Sequence, residues 1–253
     1  MTVITVCNAK GGVGKTTTAY NLAYGLTQEG ERVLLVDLDS QGSAGLALGL
    51  EPAPATCRLL LAGDPLPELV TQARPGLDVL TSDDTLADVR DWLAVRSARN
   101  AQSALNALGK ALKPYLGDYA FTVIDSGPGL DILTLNGLMA ATDVLVPVSV
   151  DYLSAAGTRQ HLETLDGLRK LGGTARLSWV VPTFCDLRLV RAREILDLLE
   201  RTFEGLVTEP IRTNTRLAEA PHLGLTIWEH DPKAMGAEDY DKLVRRILDD
   251  YKA

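Results

Sequence analysis

The chain has 253 residues, 46% of them hydrophobic and 5% aromatic, which suits one large α/β core. Its 25 basic residues are outnumbered by 33 acidic ones, giving a net charge of −8. This balance excludes a surface that attracts nucleic acid everywhere, so any such contact needs a local basic patch whose affinity depends steeply on salt.

The cysteines and histidines give no sign of a disulfide framework or a structural metal site. The three cysteines are far apart and lack CxxC spacing, which favours reduced, buried thiols, and the three histidines stand in separate segments without a metal-ligand spacing. The first segment reads as a strand rather than a signal peptide, and no apolar run approaches the length of a membrane span. We therefore expect a cytoplasmic protein.

Short β-branched segments alternate with longer segments of helical period along the chain. In chain order the predicted strands are TVITVCN, RVLLVD, GLDVLTS, AFTVIDS, DVLVPVSV and RLSWVVPT. Predicted helices cover 15–29, two stretches after GLDVLTS, one after AFTVIDS, 154–171, 189–203 and the chain from 235 onward. This alternation predicts an α/β fold, a mostly parallel twisted sheet with helices on both faces, in a single domain spanning 1–253.

Two stretches between these elements carry separate expectations. Residues 50–76 are rich in proline and short of clear strands, which predicts a surface excursion rather than a second domain. Within residues 101–112, apolar side chains from Ala101 to Leu112 recur on one helical face, which predicts a helix that packs on the core.

A phosphate-binding loop is predicted between the first strand and the first helix. The segment AKGGVGKT matches GxxxxGK[ST], except that Ala9 stands where the first glycine is expected. We expect Lys15 to reach the β- and γ-phosphates and the Thr16 hydroxyl to bind Mg²⁺. A glycine-rich turn without a ligand explains the glycines but not the lysine and threonine after them. The predicted phosphate contacts are Lys10, Gly11, Gly12, Val13, Gly14, Lys15, Thr16 and Thr17.

Acidic residues end two of the predicted strands. Asp37 and Asp39 lie in VLLVDLDSQG, and Asp125 ends FTVIDS. The carboxyl ends of parallel strands meet at one edge of the sheet, so these residues are expected beside the phosphate loop and near Thr183. Carboxylates there suit magnesium binding and water positioning. The alternative is that Asp37 or Asp39 only caps the following turn.

Lys10 has no role in an ordinary phosphate loop and, from the residues alone, is a solvated charge at its rim. The motif KGGVGKT resembles the deviant Walker A box of the ParA/MinD group of P-loop ATPases. The resemblance implies a P-loop NTPase fold, ATP and Mg²⁺ as cofactors, and an ATP-dependent homodimer. It also implies that Lys10 crosses the dimer interface to the partner's nucleotide and stabilises charge in the transition state.

DLDSQG resembles the DxDxQ switch of that family, which implies that Asp39 lies near the attacking water and the magnesium, with Asp125 as the Walker B carboxylate. The predicted catalytic residues are thus Lys10, Lys15 and Asp39, and the predicted metal ligands are Thr16, Asp39 and Asp125. Two departures stand out. Gly127 replaces the first proline of the family's DxPP sequence, which we expect to loosen that loop. Ser149 and Asp151 replace a glutamine and a glutamate downstream, which we expect to shorten their contacts.

Several longer stretches, above all IRTNTRLAEAPHLGLTIWEHDPKAMGAEDYDKL, resemble the Soj-like chromosome partition members of the family. The resemblance places adenine near Thr183 and the loop that contains Pro210, Arg212 and Thr213. The helix-turn-helix extension of the longer ParA class is not seen, so sequence-specific operator binding is not expected.

The C-terminal segment separates this chain from MinD, the nearest alternative. An apolar stripe runs from Tyr240 to Tyr251, but Asp249 and Asp250 make the end of the segment acidic. An anionic membrane repels such a face, so we expect a helix docked on the core and no membrane partner.

The segment RLVRAR places Arg188, Arg191 and Arg193 within six residues. Such a run is usually a solvated face. Soj-like relatives bind double-stranded DNA without sequence preference through surface arginines, and this resemblance favours a DNA-binding patch that also includes Arg216, with Arg212 beside it.

Together these features predict an ATPase that dimerises with ATP, binds DNA in that state and serves chromosome or plasmid partition. It is expected to turn over slowly until a ParB-like partner stimulates it, and to associate with the nucleoid. Two alternatives remain: a nucleotide-switched positioning or scaffold protein with a non-DNA cargo, and a MinD-like division-site regulator.

Overall fold

Seven strands form one sheet in the computed structural model, which describes residues 1–150 and 163–252. They are β1 (Thr2–Val6), β2 (Val33–Leu38), β3 (Thr71–Arg74), β4 (Leu77–Leu80), β5 (Phe121–Ser126), β6 (Asp143–Ser149) and β7 (Arg176–Thr183). Their order is β3-β4-β2-β5-β1-β6-β7, and every neighbouring pair is parallel except β3 with β4. The predicted α/β class with a mostly parallel sheet is therefore confirmed.

The helices connect these strands and form the layers around the sheet. They are α1 (Lys15–Gln28), α2 (Ser43–Ala47), α3 (Ala55–Cys57), α4 (Leu66–Leu69), α5 (Leu86–Arg99), α6 (Ala101–Leu105), α7 (Ala107–Leu112), α8 (Ile132–Ala140), α9 (Val190–Thr202), α10 (Thr215–Glu219), α11 (Ile227–His230) and α12 (Met235–Lys252). Of the predicted helix 154–171, residues 163–169 are helical, and the part before residue 163, including Asp151, lies outside the described residues.

Side chains of β1 show how both faces of the sheet are covered. Ile4 and Val6 belong to a core cluster that also contains buried residues of α1 and α12. On the other face the Thr5 hydroxyl donates a hydrogen bond to the Gly137 carbonyl in α8 at 2.9 Å. Strands β1, β2, β5 and β6 are buried along their whole lengths, which explains why they lack an alternating pattern.

The C-terminal helix α12 packs on the core, as predicted. Its apolar stripe is buried at Tyr240, Leu243, Val244, Ile247 and Leu248, and the following acidic residues are exposed. None of the helices in the described parts of the chain has both the length and the hydropathy that a bilayer crossing needs.

Two expectations about local structure were wrong. Residues 50–76 contain β3, an antiparallel edge strand, and they bury Leu59, Leu66 and Leu69 in a core cluster. The strand was missed because TQAR has only one apolar residue, which is common at a sheet edge. The predicted single helix over 101–112 is divided at Asn106, and Ala101 is exposed.

Candidate nucleotide-binding site

The loop between β1 and α1 has the geometry of a phosphate-binding loop. Gly12 and Gly14 have φ values of 71° and 85°, a left-handed conformation that other residues rarely adopt. Gly14 is the N-cap of α1, so the helix begins directly after the loop. Ala9 has no left-handed backbone angle, which explains why alanine is tolerated at the position of the first glycine.

Asn8 fixes the start of this loop and was not found by sequence reasoning. Its side-chain oxygen accepts a hydrogen bond from the Lys10 N–H at 3.0 Å, and its amide donates to the Pro147 carbonyl at 2.8 Å. The buried side chain thus connects the loop to β6. A polar residue directly after a buried strand was the available signal.

Lys15 lies at the centre of the site with a side chain that is almost fully buried. Its Nζ donates a hydrogen bond to the Lys10 carbonyl at 3.0 Å, which holds the ammonium group against the loop. Burial lowers the pKa of Lys15, while the nearby carboxylates of Asp125 and Asp39 act to raise it. The ammonium group therefore lies between the glycine-rich loop and two carboxylates, a position in which it can contact both phosphate and the acidic residues.

Asp125 is the best candidate for a magnesium ligand. It is fully buried, and neither carboxylate oxygen forms a hydrogen bond of normal geometry within the part of the chain that the structure describes. Burial and the neighbouring Asp37 carboxylate raise its pKa well above the usual value, whereas the Thr16 hydroxyl and Lys15 act to lower it. A buried carboxylate without a hydrogen-bond partner costs free energy unless a cation binds there.

The other predicted magnesium ligands lie beside this carboxylate. Thr16 is in the first turn of α1 and faces Asp125. Asp39 follows β2, and its negative charge acts to raise the pKa of both Lys15 and Asp125. Among the described residues no group of three acidic, histidine or cysteine side chains forms a protein-only metal cage. A Mg²⁺ ion at this site would bind one or two carboxylates and complete its coordination with phosphate oxygens and water.

Asp37 caps the turn that follows β2, which was the alternative role considered for it. Its two carboxylate oxygens accept hydrogen bonds from the Asp39 and Ala44 N–H groups, each at 2.9 Å. Burial raises its pKa to about 6, although these backbone hydrogen bonds act to lower it. Asp37 therefore shapes the loop that carries Asp39, and its oxygens are occupied where those of Asp125 are not.

A backbone hydrogen bond attaches the segment after β5 to the phosphate loop. The Gly129 N–H donates to the Ala9 carbonyl at 3.0 Å. A Cβ atom at Gly127 would lie 3.6 Å from the Asp39 carboxyl carbon, an ordinary contact distance. Gly127 is therefore not required by close packing, and its effect is the greater backbone freedom that glycine gives this segment.

Two adjacent clefts run along the loop. The first, of about 330 Å³, is lined by six of the eight expected phosphate contacts together with Asp39 and Pro128. The second, of about 390 Å³, has a mostly apolar lining and extends toward α10. The first is lined by Gly11, Gly12, Gly14, Lys15, Thr16, Thr17, Asp39, Pro128 and Phe184. The second is lined by Gly14, Thr17, Thr183, Phe184, Ile211, Arg212, Thr213, Asn214, Thr215, Leu217, Ala218 and Tyr240.

Comparison with known proteins places this site in a family. Residues 1–175 match a family model described as an AAA domain. The chromosome-partitioning ATPase Soj of Thermus thermophilus is 38% identical over 97% of this chain and 94% of its own. The chromosome partitioning protein ParA of Caulobacter vibrioides is 34% identical over 97% of this chain and 93% of its own. The chain belongs to the ParA/Soj family of chromosome-partitioning ATPases.

A solved structure extends the likeness to the whole fold. Cobyrinic acid a,c-diamide synthase of Mycobacterium smegmatis, with bound ADP and magnesium, has a TM-score of 0.85 and 31% identity, covering 100% of this chain and 96% of that chain. The P-loop NTPase fold of the ParA/Soj family is thus present here, and this fold has bound a nucleotide together with magnesium.

Three of the four residues that the ParA resemblance assigned to adenine line the second cleft. Thr183 and Arg212 lie on its walls with Thr213, whereas Pro210 is not part of the lining. The Arg212 guanidinium is bound to Asp239 and Glu238 of α12, and these hydrogen bonds raise its pKa. Arg212 therefore holds the cleft wall to α12, and these ion pairs occupy the guanidinium that was predicted to lie beside the basic patch.

Lys10 and Val13 lie in the phosphate loop but not among the described residues that line its cleft. Val13 is buried, and its carbonyl accepts a hydrogen bond from the Thr183 hydroxyl at 2.9 Å. Lys10 is half-buried and uses its N–H and carbonyl within the loop. Its backbone position is therefore fixed independently of where its side chain extends.

The arginines of the predicted DNA patch are exposed, but two of them are ion-paired. Arg188 forms an ion pair with Asp186 at 2.7 Å, and Arg216 forms one with Glu219 at 2.7 Å. The Arg193 Nε donates to a main-chain carbonyl. Arg191, in the first turn of α9, forms no ion pair with the described residues. The pairing of Arg188 was missed because the acid lies just before the run of arginines.

Proposed function

We propose that residues 1–253 form a single ATPase domain that dimerises with ATP, hydrolyses it to ADP and phosphate, and binds double-stranded DNA without sequence preference in the ATP state. Its cellular role in this proposal is chromosome or plasmid partition, with a ParB-like protein that stimulates an otherwise slow turnover. The observation that carries the proposal is the buried Asp125 carboxylate, which forms no hydrogen bond of normal geometry with the described residues and lies near Lys15 and Thr16 beside the phosphate loop.

In this proposal each group of the site has a separate task. The loop N–H groups and Lys15 bind the phosphates, and Thr16 and Asp125 hold Mg²⁺ with the help of Asp39. When bound, magnesium neutralises phosphate charge. Asp39 orients the attacking water, because its carboxylate borders the phosphate cleft. Lys10 extends to the nucleotide of the second subunit, where its charge stabilises the transition state.

The exposed arginines support the proposed DNA contact, because phosphate binding needs guanidinium groups that reach solvent. Arg191 is the strongest single candidate, since its guanidinium is exposed and forms no ion pair with described residues. The ion pairs of Arg188 and Arg216 favour instead the second candidate, a nucleotide-switched scaffold with a non-DNA cargo. These pairs lower the positive charge available to a phosphate backbone.

Titration of a duplex of arbitrary sequence distinguishes these functions. The protein is titrated with ATP, ADP or no nucleotide over a range of salt concentrations, and its mass is followed by sedimentation. Binding in ATP alone that weakens steeply with salt is the expected result. An ATP dimer that does not bind the duplex contradicts the DNA function and favours the scaffold. Binding to anionic vesicles instead favours the MinD-like alternative.

A further inference from the structure

Phe184, directly after β7, has an unusual backbone conformation. Its φ is 53°, and it is the one non-glycine residue with positive φ among the residues that the structure describes. Its aromatic side chain is 40% exposed. An aromatic residue in the left-handed region is strained, and such strain is kept where the surrounding structure requires it, often at ligand sites.

Residues on both sides of Phe184 hold this conformation. The Thr183 hydroxyl donates to the Val13 carbonyl in the phosphate loop at 2.9 Å. On the other side the Cys185 N–H donates to the Ile211 carbonyl at 3.2 Å, and the Cys185 carbonyl accepts from the Thr213 N–H at 3.1 Å. Phe184 is therefore fixed between the phosphate loop and the wall of the second cleft.

The ring lies at the boundary between the two clefts. Gly14, Thr17 and Phe184 are the three residues that line both of them. A Cβ atom built on Gly14 would lie 3.7 Å from the ring, so the ring lies beside the end of the phosphate loop. A ligand with phosphates in the first cleft and a base in the second must pass these three residues, and only Phe184 offers a large apolar surface there.

We infer that Phe184 contacts the nucleoside of the bound nucleotide and sets affinity for ribose and base separately from the phosphates. This inference rests on the nucleotide binding proposed above. The phosphate loop holds the charged end of the ligand, and the Phe184 ring covers the nucleoside end where it enters the apolar cleft. Removal of the ring should then weaken the binding of nucleotides and leave the binding of inorganic phosphate chains unchanged.

The experiment compares ATP, ADP and inorganic tripolyphosphate by calorimetric titration in Mg²⁺. Phe184→Gly removes the ring and accepts the left-handed backbone without strain, but it also loses the buried part of the ring and gains chain entropy in the unfolded state, so its unliganded thermal stability is measured alongside. Phe184→Leu keeps apolar bulk. Leu187→Ala is the matched control, because Leu187 is 41% exposed on the same loop and lines neither cleft.

We expect Phe184→Gly to lower the affinity for ATP and ADP about tenfold, because roughly 60 Å² of apolar ligand and protein surface is no longer buried. The affinity for tripolyphosphate should not change. Phe184→Leu should lose less, and Leu187→Ala nothing. If Phe184→Gly keeps full ATP affinity, or loses affinity for tripolyphosphate to the same extent as for ATP, the inference about Phe184 is wrong. Neither result would contradict the proposed nucleotide site. Wild-type protein that binds neither ATP nor tripolyphosphate refutes the proposed nucleotide site itself.

Discussion

Replacement of Asp125 by asparagine should make the nucleotide-free protein more stable while removing its response to magnesium and ATP. The carboxylate is fully buried, and its oxygens form no hydrogen bond of normal geometry with the described residues. Its pKa is raised even though Lys15 and Thr16 act to lower it. The environment therefore favours the neutral form, and an uncharged isostere should fold more favourably by about 1–3 kcal/mol, because a buried charge without partners costs more than the neutral amide, which also remains a buried polar group.

The size of this effect should depend on pH. The pKa of Asp125 is raised in the folded state, so the wild type loses stability as pH rises above the ordinary carboxyl pKa. At about pH 5 part of the wild-type cost is removed by protonation, so the advantage of Asp125→Asn should be smaller there than at about pH 8. Denaturant unfolding at both pH values measures this difference.

Asp143→Asn is the matched control for a buried carboxylate that has partners. Burial acts to raise the pKa of Asp143, but hydrogen bonds from Ser178, Arg176 and Thr142 lower it overall. This variant should therefore lose stability at neutral pH, opposite to Asp125→Asn.

Addition of Mg²⁺ and ATP should reverse the order of wild type and Asp125→Asn. A ligand at about 1,000 times its Kd stabilises the folded state by about 4.1 kcal/mol, which exceeds the expected advantage of the variant, and only the wild type should gain this. An Asp125→Asn protein that is less stable than wild type without nucleotide, or that is stabilised equally by Mg²⁺ and ATP, would refute the assignment of Asp125 to the metal.

Four further substitutions test the proposed roles of individual side chains. Lys15→Ala should abolish nucleotide binding in an equilibrium titration, and unchanged affinity would exclude the phosphate-loop assignment. Asp39→Ala should bind ATP and dimerise but hydrolyse slowly, so a normal single-turnover rate would leave Asp39 with a structural role only. Lys10→Ala should bind ATP as a monomer without forming the ATP dimer, and a normal dimer in sedimentation would contradict the crossing lysine. Arg191→Glu should dimerise normally while binding DNA more weakly and with a flatter salt dependence; undiminished DNA affinity would remove Arg191 from the interface.

Features that depend on neighbouring residues were predictable from the sequence. The strand and helix around the phosphate loop, the carboxyl ends of β2 and β5, and the buried stripe of α12 follow from local patterns of glycine, acidic and apolar residues. The division of roles between Asp37 and Asp125 was not predictable. Both lie near the ends of buried strands. Only tertiary structure shows that the N–H groups of Asp39 and Ala44 bind the Asp37 carboxylate, whereas the Asp125 carboxylate forms no hydrogen bond of normal geometry with the described residues.

Features that depend on distant residues were missed for the same reason. The Arg212 guanidinium is bound by acids that lie more than twenty residues further along the chain, so no local window contains both partners. Phe184 reads as an apolar residue after a strand, and its significance comes from a backbone angle and from its place between two clefts. Neither property has a local sequence signature.

The ion pairs of the arginines bear on how the proposed DNA binding is controlled. A guanidinium held by Asp186 or Glu219 must share or exchange its partner to contact a phosphate, so each subunit should bind DNA weakly on its own. Exposed pairs of this kind are weak, and DNA phosphates at high local density can compete with them. Dimerisation places two such surfaces on one particle and raises the effective concentration of the second contact. Weak single-subunit binding therefore makes the ATP-dependent dimer, rather than the arginines alone, the step that determines when DNA is bound.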